Sequence, residues 1–162
     1  MTPQPSFPRV PNGGGSRQHQ LATSSCPIER TTRLIGDQWT LLILRNAVFG
    51  MTRYEQFQIH LGVSRATLSE RLNTLVETNF LEKAAYQDNP TRYDYHLTEK
   101  GRAFFDVVAV MWNFGETWLF EPDSPTPLAL KHKSGSPVRP IVIDESTGEP
   151  LDCRNVRLRR RG

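Results

Sequence analysis

Long apolar runs are missing from this chain. The strongest, Trp39 to Leu44, falls far short of the roughly 20 residues that a membrane-spanning helix needs, and no charged-then-apolar leader opens the sequence. A cytoplasmic protein with no membrane partner is expected. Cysteine is also scarce: Cys26 and Cys153 stand 127 positions apart, which argues against a stapled disulfide framework and leaves a reactive thiol as the redox role open to it. The histidines His19, His60, His96 and His132 show no metal-ligand spacing with one another or with either cysteine, so no metal or other cofactor is expected. Gly-rich phosphate loops, nucleophile elbows and histidine–carboxylate clusters at catalytic spacing are lacking as well, which argues against an enzyme.

Basic charge is present overall, with a net of +3, but not where a nucleic-acid-binding domain would show it. Residues 1–150 carry 15 Lys and Arg against 16 Asp and Glu. The excess belongs to Arg154, Arg157, Arg159, Arg160 and Arg161, set against Asp152 alone. That end reads either as a solvated tail or as an arm adding salt-dependent phosphate contacts.

What is there begins with the organisation of the chain. Residues 1–24 hold four prolines, a Gly13-Gly14-Gly15 run and few large apolar residues, the composition of a disordered arm. Pro122, Pro125 and Pro127 mark a second break. One domain over 25–120 is therefore expected, followed by an extension over 121–162. Within that domain Cys26-Pro27 suits a cap and first helical position, with Gly36 as the stop. Asp37 caps a second helix whose stripe is Trp39, Leu42, Ile43 and Ala47. Thr52-Arg53-Tyr54-Glu55 fits a capping box, opening a third helix to about His60 that buries Tyr54 and Phe57.

Gly62-Val63-Ser64 then forms a tight turn into a fourth helix, and two helices so joined make a helix-turn-helix. Leu68, Leu72, Leu75, Val76 and Phe80 line its inner face, opposite Arg65, Thr67, Glu70 and Arg71. Leu81–Tyr86 and Arg92–Leu97 read as strands about a Gln87–Pro90 turn, a wing. Thr98-Glu99 caps a last helix carrying Phe104, Val107, Val108, Met111, Phe114 and Trp118. Over about 22 residues it would span roughly 33 Å, more than one small domain covers, so a partner subunit is expected against it. The fold class is mainly α with a small antiparallel β wing.

Four segments in order, Cys26-Pro27-Ile28, Ile35–Arg45, Val63–Leu72 and Tyr95–Gly101, resemble the HxlR family of bacterial winged helix-turn-helix regulators, relatives of the MarR family. The resemblance covers about 95 of the 162 residues. It implies a homodimer joined through the first and last helices, with one recognition helix per subunit. The Leu128–His132 and Gly148–Asp152 segments are similar to members ending in a zinc-ribbon-like hairpin. Where such ribbons carry cysteine pairs this chain has Ser134, Ser136, Ser146 and Gly148, so a hairpin with Val138–Ile143 as one strand is expected without its metal.

On this reading the fourth helix enters the major groove of an operator, where base pairs differ in donor and acceptor pattern. Arg65, Thr67, Glu70 and Arg71 are candidates for base or adjacent phosphate contact; Ser64, Arg53 and Arg92 are better placed for phosphates, and Arg92 also for the minor groove. The alternative is a winged helix used for protein contact, which the near-neutral charge of residues 1–150 favours. Cys26 at a helix N-terminus, with Arg30 and Arg33 one and two turns on, has a setting that favours thiolate. The resemblance adds that some members sense electrophiles or oxidants through a cysteine there, while a small residue packed at a dimer seam is the plainer reading. A gap between the long helices would admit a small apolar effector.

Overall fold

The computed structural model describes residues 24–121, 123–124 and 126–158. The arm expected over 1–24 lies outside the described residues except for Ser24, which is buried, and so does the end from Arg159. Contacts divide the chain into two compact units, the first ending at Phe104 and the second beginning at Phe105.

Helix α1 (Pro27–Ile35) starts as its sequence requires, with Cys26 extended and Pro27 supplying a fixed φ where no N–H is needed. Its entry is anchored by Ser24, whose hydroxyl donates to Glu29 Oε2 at 2.7 Å and accepts from the Cys26 N–H at 3.1 Å. Asp37 caps α2 (Gln38–Val48) by accepting from the Thr40 N–H at 3.1 Å and from the buried Thr40 hydroxyl. The capping box expected at Thr52 and Glu55 is displaced by one residue. Arg53 is the cap position of α3 (Tyr54–Leu61), and Gln56 Oε1 accepts from the Arg53 and Thr52 N–H groups at 3.0 and 3.2 Å. Thr52 is drawn away because its hydroxyl donates to Asp94 at 3.4 Å and its carbonyl accepts from Tyr95 at 2.7 Å. Of the two aromatics expected to be buried in α3, Phe57 is buried and Tyr54 is half-exposed.

Gly62 has φ +62, the left-handed conformation that its turn requires, and α4 (Arg65–Glu77) follows at once. Leu68, Leu72 and Leu75 of α4 meet Ile43, Leu44, Phe57 and Leu81 in a core with almost no solvent exposure. Burying each such side chain contributes about 1.5–3 kcal/mol over leaving it in water. Strands β1 (Leu81–Asp88) and β2 (Thr91–Leu97) pair antiparallel from Leu81–Leu97 to Asp88–Thr91, with a bulge between Ala85 and Gln87. Arg53 bridges Asp94 on the free edge of β2, which ties the start of α3 to the wing.

The single last helix expected from Thr98 onward is interrupted. Thr98 caps a short α5 (Glu99–Ala103), and the helix re-forms as α6 (Phe105–Trp118). At Phe104 the backbone N–H bonds to Gly101 O, three residues back, so the turn tightens and the ladder stops. At 1.5 Å per residue, α6 spans about 21 Å.

In the second unit the strand expected over Val138–Ile143 is also corrected. Pro137 and Pro140 lack the N–H a ladder needs, and only isolated bridges form, Lys131–Pro137 and Ile143–Pro150. Two short loops result. One is closed by Val138 N–H to Leu130 O at 3.0 Å, the other by Leu151 N–H to Val142 O at 2.9 Å.

Candidate nucleic-acid interface

The interface is built on the N-terminal turn of α4. Ser64 caps that helix, accepting from the Thr67 N–H at 3.2 Å, and its hydroxyl lies 2.9 Å from the Thr67 hydroxyl. One hydroxyl pair thus holds the first turn in place. Arg65 is exposed, and its backbone carbonyl accepts from the Tyr54 hydroxyl at 3.0 Å, which pins the same turn to α3. Glu70 is exposed at 63% of its side chain.

Arg71 behaves differently from its neighbours. Its side chain is only 17% exposed, with Nε 3.1 Å from Asp37 Oδ1 and Nη1 2.9 Å from Glu70 Oε1. Asp37 therefore caps α2 and neutralises a guanidinium from α4 at once, so Arg71 braces the recognition helix from behind. A carboxylate bonded to cap N–H groups is itself a weak signal in sequence, and nothing in the spacing of Asp37 and Arg71 marks them as partners.

On the wing, Arg92 is exposed beside the Asn89-Pro90 turn, pairing through its backbone with Gln87. The Asn89–Pro90 peptide is cis. The turn is braced by Gln87 Nε2 donating to Asn89 O at 3.1 Å and the Thr91 hydroxyl donating to Asp88 O at 3.0 Å. Arg53 is 56% exposed; its guanidinium sits 3.6 Å from Asp94 and 4.9 Å from the centre of the Tyr86 ring. Arg53, Arg65 and Arg92 are thus cations on the same unit, carried by the cap of α3, by α4 and by β2.

Sequence reasoning missed a cleft of about 190 Å³ between the first turn of α3 and the wing, lined by Tyr54, Tyr86, Tyr93 and Tyr95 with Glu55, Thr91 and Arg92. Tyrosine usage was its only signal, and the bulge that shapes it has no local sequence mark. The second unit has a hollow of about 440 Å³ lined by Phe120 and Leu128 together with Glu116 and Glu121. Among the described residues no group of three or more His, Cys, Asp or Glu is arranged to hold a metal ion. No helix among them is long and apolar enough to cross a membrane.

Cys26 is partly exposed at the N-terminus of α1. The two arginines downstream are engaged: Arg33 pairs with Glu29 at 2.6 Å, and Arg30 Nε donates to Ser24 O. Hydrogen bonds from Ser24 and Arg33 hold the Glu29 carboxyl below its ordinary range, so a carboxylate stands in the first turn of the helix that Cys26 opens.

Residues 34–123 match the family model of the HxlR-like helix-turn-helix. The chain belongs to the HxlR-like family. An uncharacterized HTH-type transcriptional regulator of Mycobacterium tuberculosis (strain ATCC 25618 / H37Rv) is 40% identical over 130 residues, covering 80% of this chain and 82% of that protein. Among solved structures, PA1607, described as a candidate transcription factor, superposes with a TM-score of 0.77 at 35% identity over 86% of this chain and 97% of that one. The redox regulator HypR in its oxidized form is similar over 57% of this chain and 96% of its own, with 28% identity and a TM-score of 0.52. This HxlR-like protein is a winged helix-turn-helix, DNA-binding transcription regulator.

Proposed function

We propose that this HxlR-like regulator acts in the cytoplasm as a homodimer that reads an operator through α4. Arg65, Thr67 and Glu70 face base edges or the phosphates beside them, while Ser64, Arg53 and Arg92 hold the backbone. Arg71 serves by fixing α4 to α2. The observation that carries the reading is the first turn of α4, capped by Ser64 and pinned by Tyr54, which presents the exposed Arg65 from a rigid support.

Dimerisation is supported by the apolar side chains that α6 leaves in solvent, among them Phe105, Met111, Phe114 and Trp118, and by exposed Ile28 on α1. Large apolar side chains left exposed on a helix in this number are what a partner subunit covers. A mobility-shift assay and footprint on the DNA upstream of the protein's own gene test both points. Two protected half-sites about 10 base pairs apart, or a multiple of that, are expected. A single half-site would contradict the dimer, and absence of binding would favour a protein-contact role.

A signal acting through Cys26 is favoured by its place at a helix start and by the likeness to HypR, itself a redox regulator. Diamide or a quinone should release the wild-type protein from DNA and leave Cys26→Ser bound; identical release of both would exclude Cys26. The hollow beside Phe120 and Leu128 lies within the volume range of small-molecule sites and is our candidate for an apolar effector.

A further inference from the structure

The chain has four tyrosines, and all four line the cleft at the root of the wing. The bulge is what assembles them. Residues paired across an antiparallel ladder share a face, so Ala85–Tyr93 and Lys83–Tyr95 lie on one side of the wing, and simple alternation would send Tyr86 to the other. The extra residue between Ala85 and Gln87 re-aims Tyr86 onto the cleft side.

Cations gather around these rings. Arg92 lines the cleft, the Arg53 guanidinium lies 4.9 Å over Tyr86, and Lys83 Nζ lies 3.8 Å over Tyr93. Two carboxylates face them: Asp94, which holds Arg53, and Glu55, which lines the cleft. Tyr54 lines the cleft and reaches the recognition helix, donating to Arg65 O and lying 3.2 Å from Ser69 Oγ. The cleft thus lies between the first turn of α3 and the wing, with Tyr54 linking it to α4. At about 190 Å³ it is below the roughly 300 Å³ at which small-molecule pockets begin. Its walls offer phenol and threonine hydroxyls and a guanidinium, the groups that contact phosphate oxygens, and flat rings on which a sugar can pack.

We propose that this cleft seats one sugar-phosphate unit of the DNA strand running between the recognition helix and the wing. Tyr86 and Tyr93 are then DNA-contacting residues, and Tyr54 sets the spacing between Arg65 and the wing. The proposal rests on the reading that α4 and the wing engage DNA. Glu55 is the discordant group and opposes the phosphate, a penalty that falls on every sequence alike.

Fluorescence anisotropy over a salt series tests it, with the full chain and two duplexes of about 30 base pairs, one from upstream of the protein's own gene and one scrambled. Tyr86→Phe and Tyr93→Phe should each weaken binding to both duplexes by roughly tenfold, since a hydrogen bond to a charged oxygen is lost without regard to sequence. The slope against salt should stay unchanged, because a phenol carries no charge. Arg92→Gln should lower that slope by about 0.9, and Glu55→Gln should tighten binding to both duplexes. Either duplex should also protect Tyr86, 38% exposed in the free chain, from nitration by tetranitromethane.

Three results would overturn the proposal. They are both phenylalanine variants binding within about twofold of wild type, losses confined to the native duplex, and nitration of Tyr86 unaffected by DNA. If Arg65→Ala still abolishes binding to the native duplex in those cases, the role of α4 stands and only the cleft is refuted. If the wild-type chain binds neither duplex, the role of α4 and the wing fails with it.

Discussion

Replacing Gly101 by alanine adds one methyl group where the structure has no room for it. A Cβ at this position would lie 2.1 Å from Phe80 O and 2.9 Å from Leu97 Cδ2. The leucine can turn aside. The carbonyl oxygen is held in place, because it accepts from the Thr98 N–H at 3.1 Å and the Thr98 hydroxyl at 3.2 Å, and Phe80 is buried edge-on against Phe104 with ring centres 5.9 Å apart. Ordinary carbon–oxygen contact begins near 3.3 Å, so α5 must move away from the wing root by roughly 1 Å. That displacement strains the Lys100 Nζ bond to Thr78 O, 2.7 Å long, and the Thr98 hydroxyl bond to Asn79 O, also 2.7 Å.

Overpacking costs about 1–3 kcal/mol, and weakening two hydrogen bonds adds about 1 kcal/mol, for a total of about 3 kcal/mol. In a unit of this size the melting temperature should fall by roughly 12–24 °C. Thermal unfolding followed by circular dichroism reads this directly, with Gly115→Ala as the control. A Cβ on Gly115 meets nothing within 4 Å inside α6, so that variant should be stabilised by about 0.5–1 kcal/mol. If Gly101→Ala melts within about 2 °C of wild type, the close approach of Gly101 to Phe80 O is wrong.

Other perturbations have equally definite expectations. Asp37→Ala removes the cap of α2 and the partner of Arg71 together and should cost about 2 kcal/mol, read as a lower urea midpoint at unchanged m-value; Asp37→Asn should recover the cap and lose only the charge pairing. Glu29 is held below the ordinary carboxylate range by Ser24 and then Arg33, so its contribution is fully present above the unfolded value near 4.3 and is lost as pH falls through the lower folded value. An acid titration of Ser24→Ala should therefore lose part of the wild-type stability change in that window, and identical profiles would remove Ser24 as the cause. Deleting residues 154–162 should lower the slope of binding against salt if the arginines reach phosphates; an unchanged slope would make that end a solvated tail.

The elements were legible in sequence where one local rule decides them. Pro27 after Cys26, Asp37 before α2, Gly62 in its turn and the Leu68, Leu72, Leu75 spacing each act within one or two helical turns, and each element formed as expected. The departures arose where a distant group competed. Thr52 gave its hydroxyl to Asp94, 42 residues on, so the capping box moved to Gln56. The long helix stopped at Phe104, where the backbone N–H turned to Gly101 O, a break that no residue type in the stretch marks. Val138–Ile143 looked strand-like by its branched residues, yet Pro137 and Pro140 withheld the donors. For the site, residue types and helix face were readable, but Arg71 turned inward to Asp37, and the tyrosine cleft depends on a bulge that no short motif announces.

Sequence-specific recognition by α4 is tested most directly by the affinity of Arg65→Ala for the native and scrambled duplexes at one salt concentration. A base contact should show a loss of about tenfold or more on the native duplex, with a change of no more than about threefold on the scrambled one. Equal losses on both would contradict base recognition by Arg65 and leave it a phosphate contact.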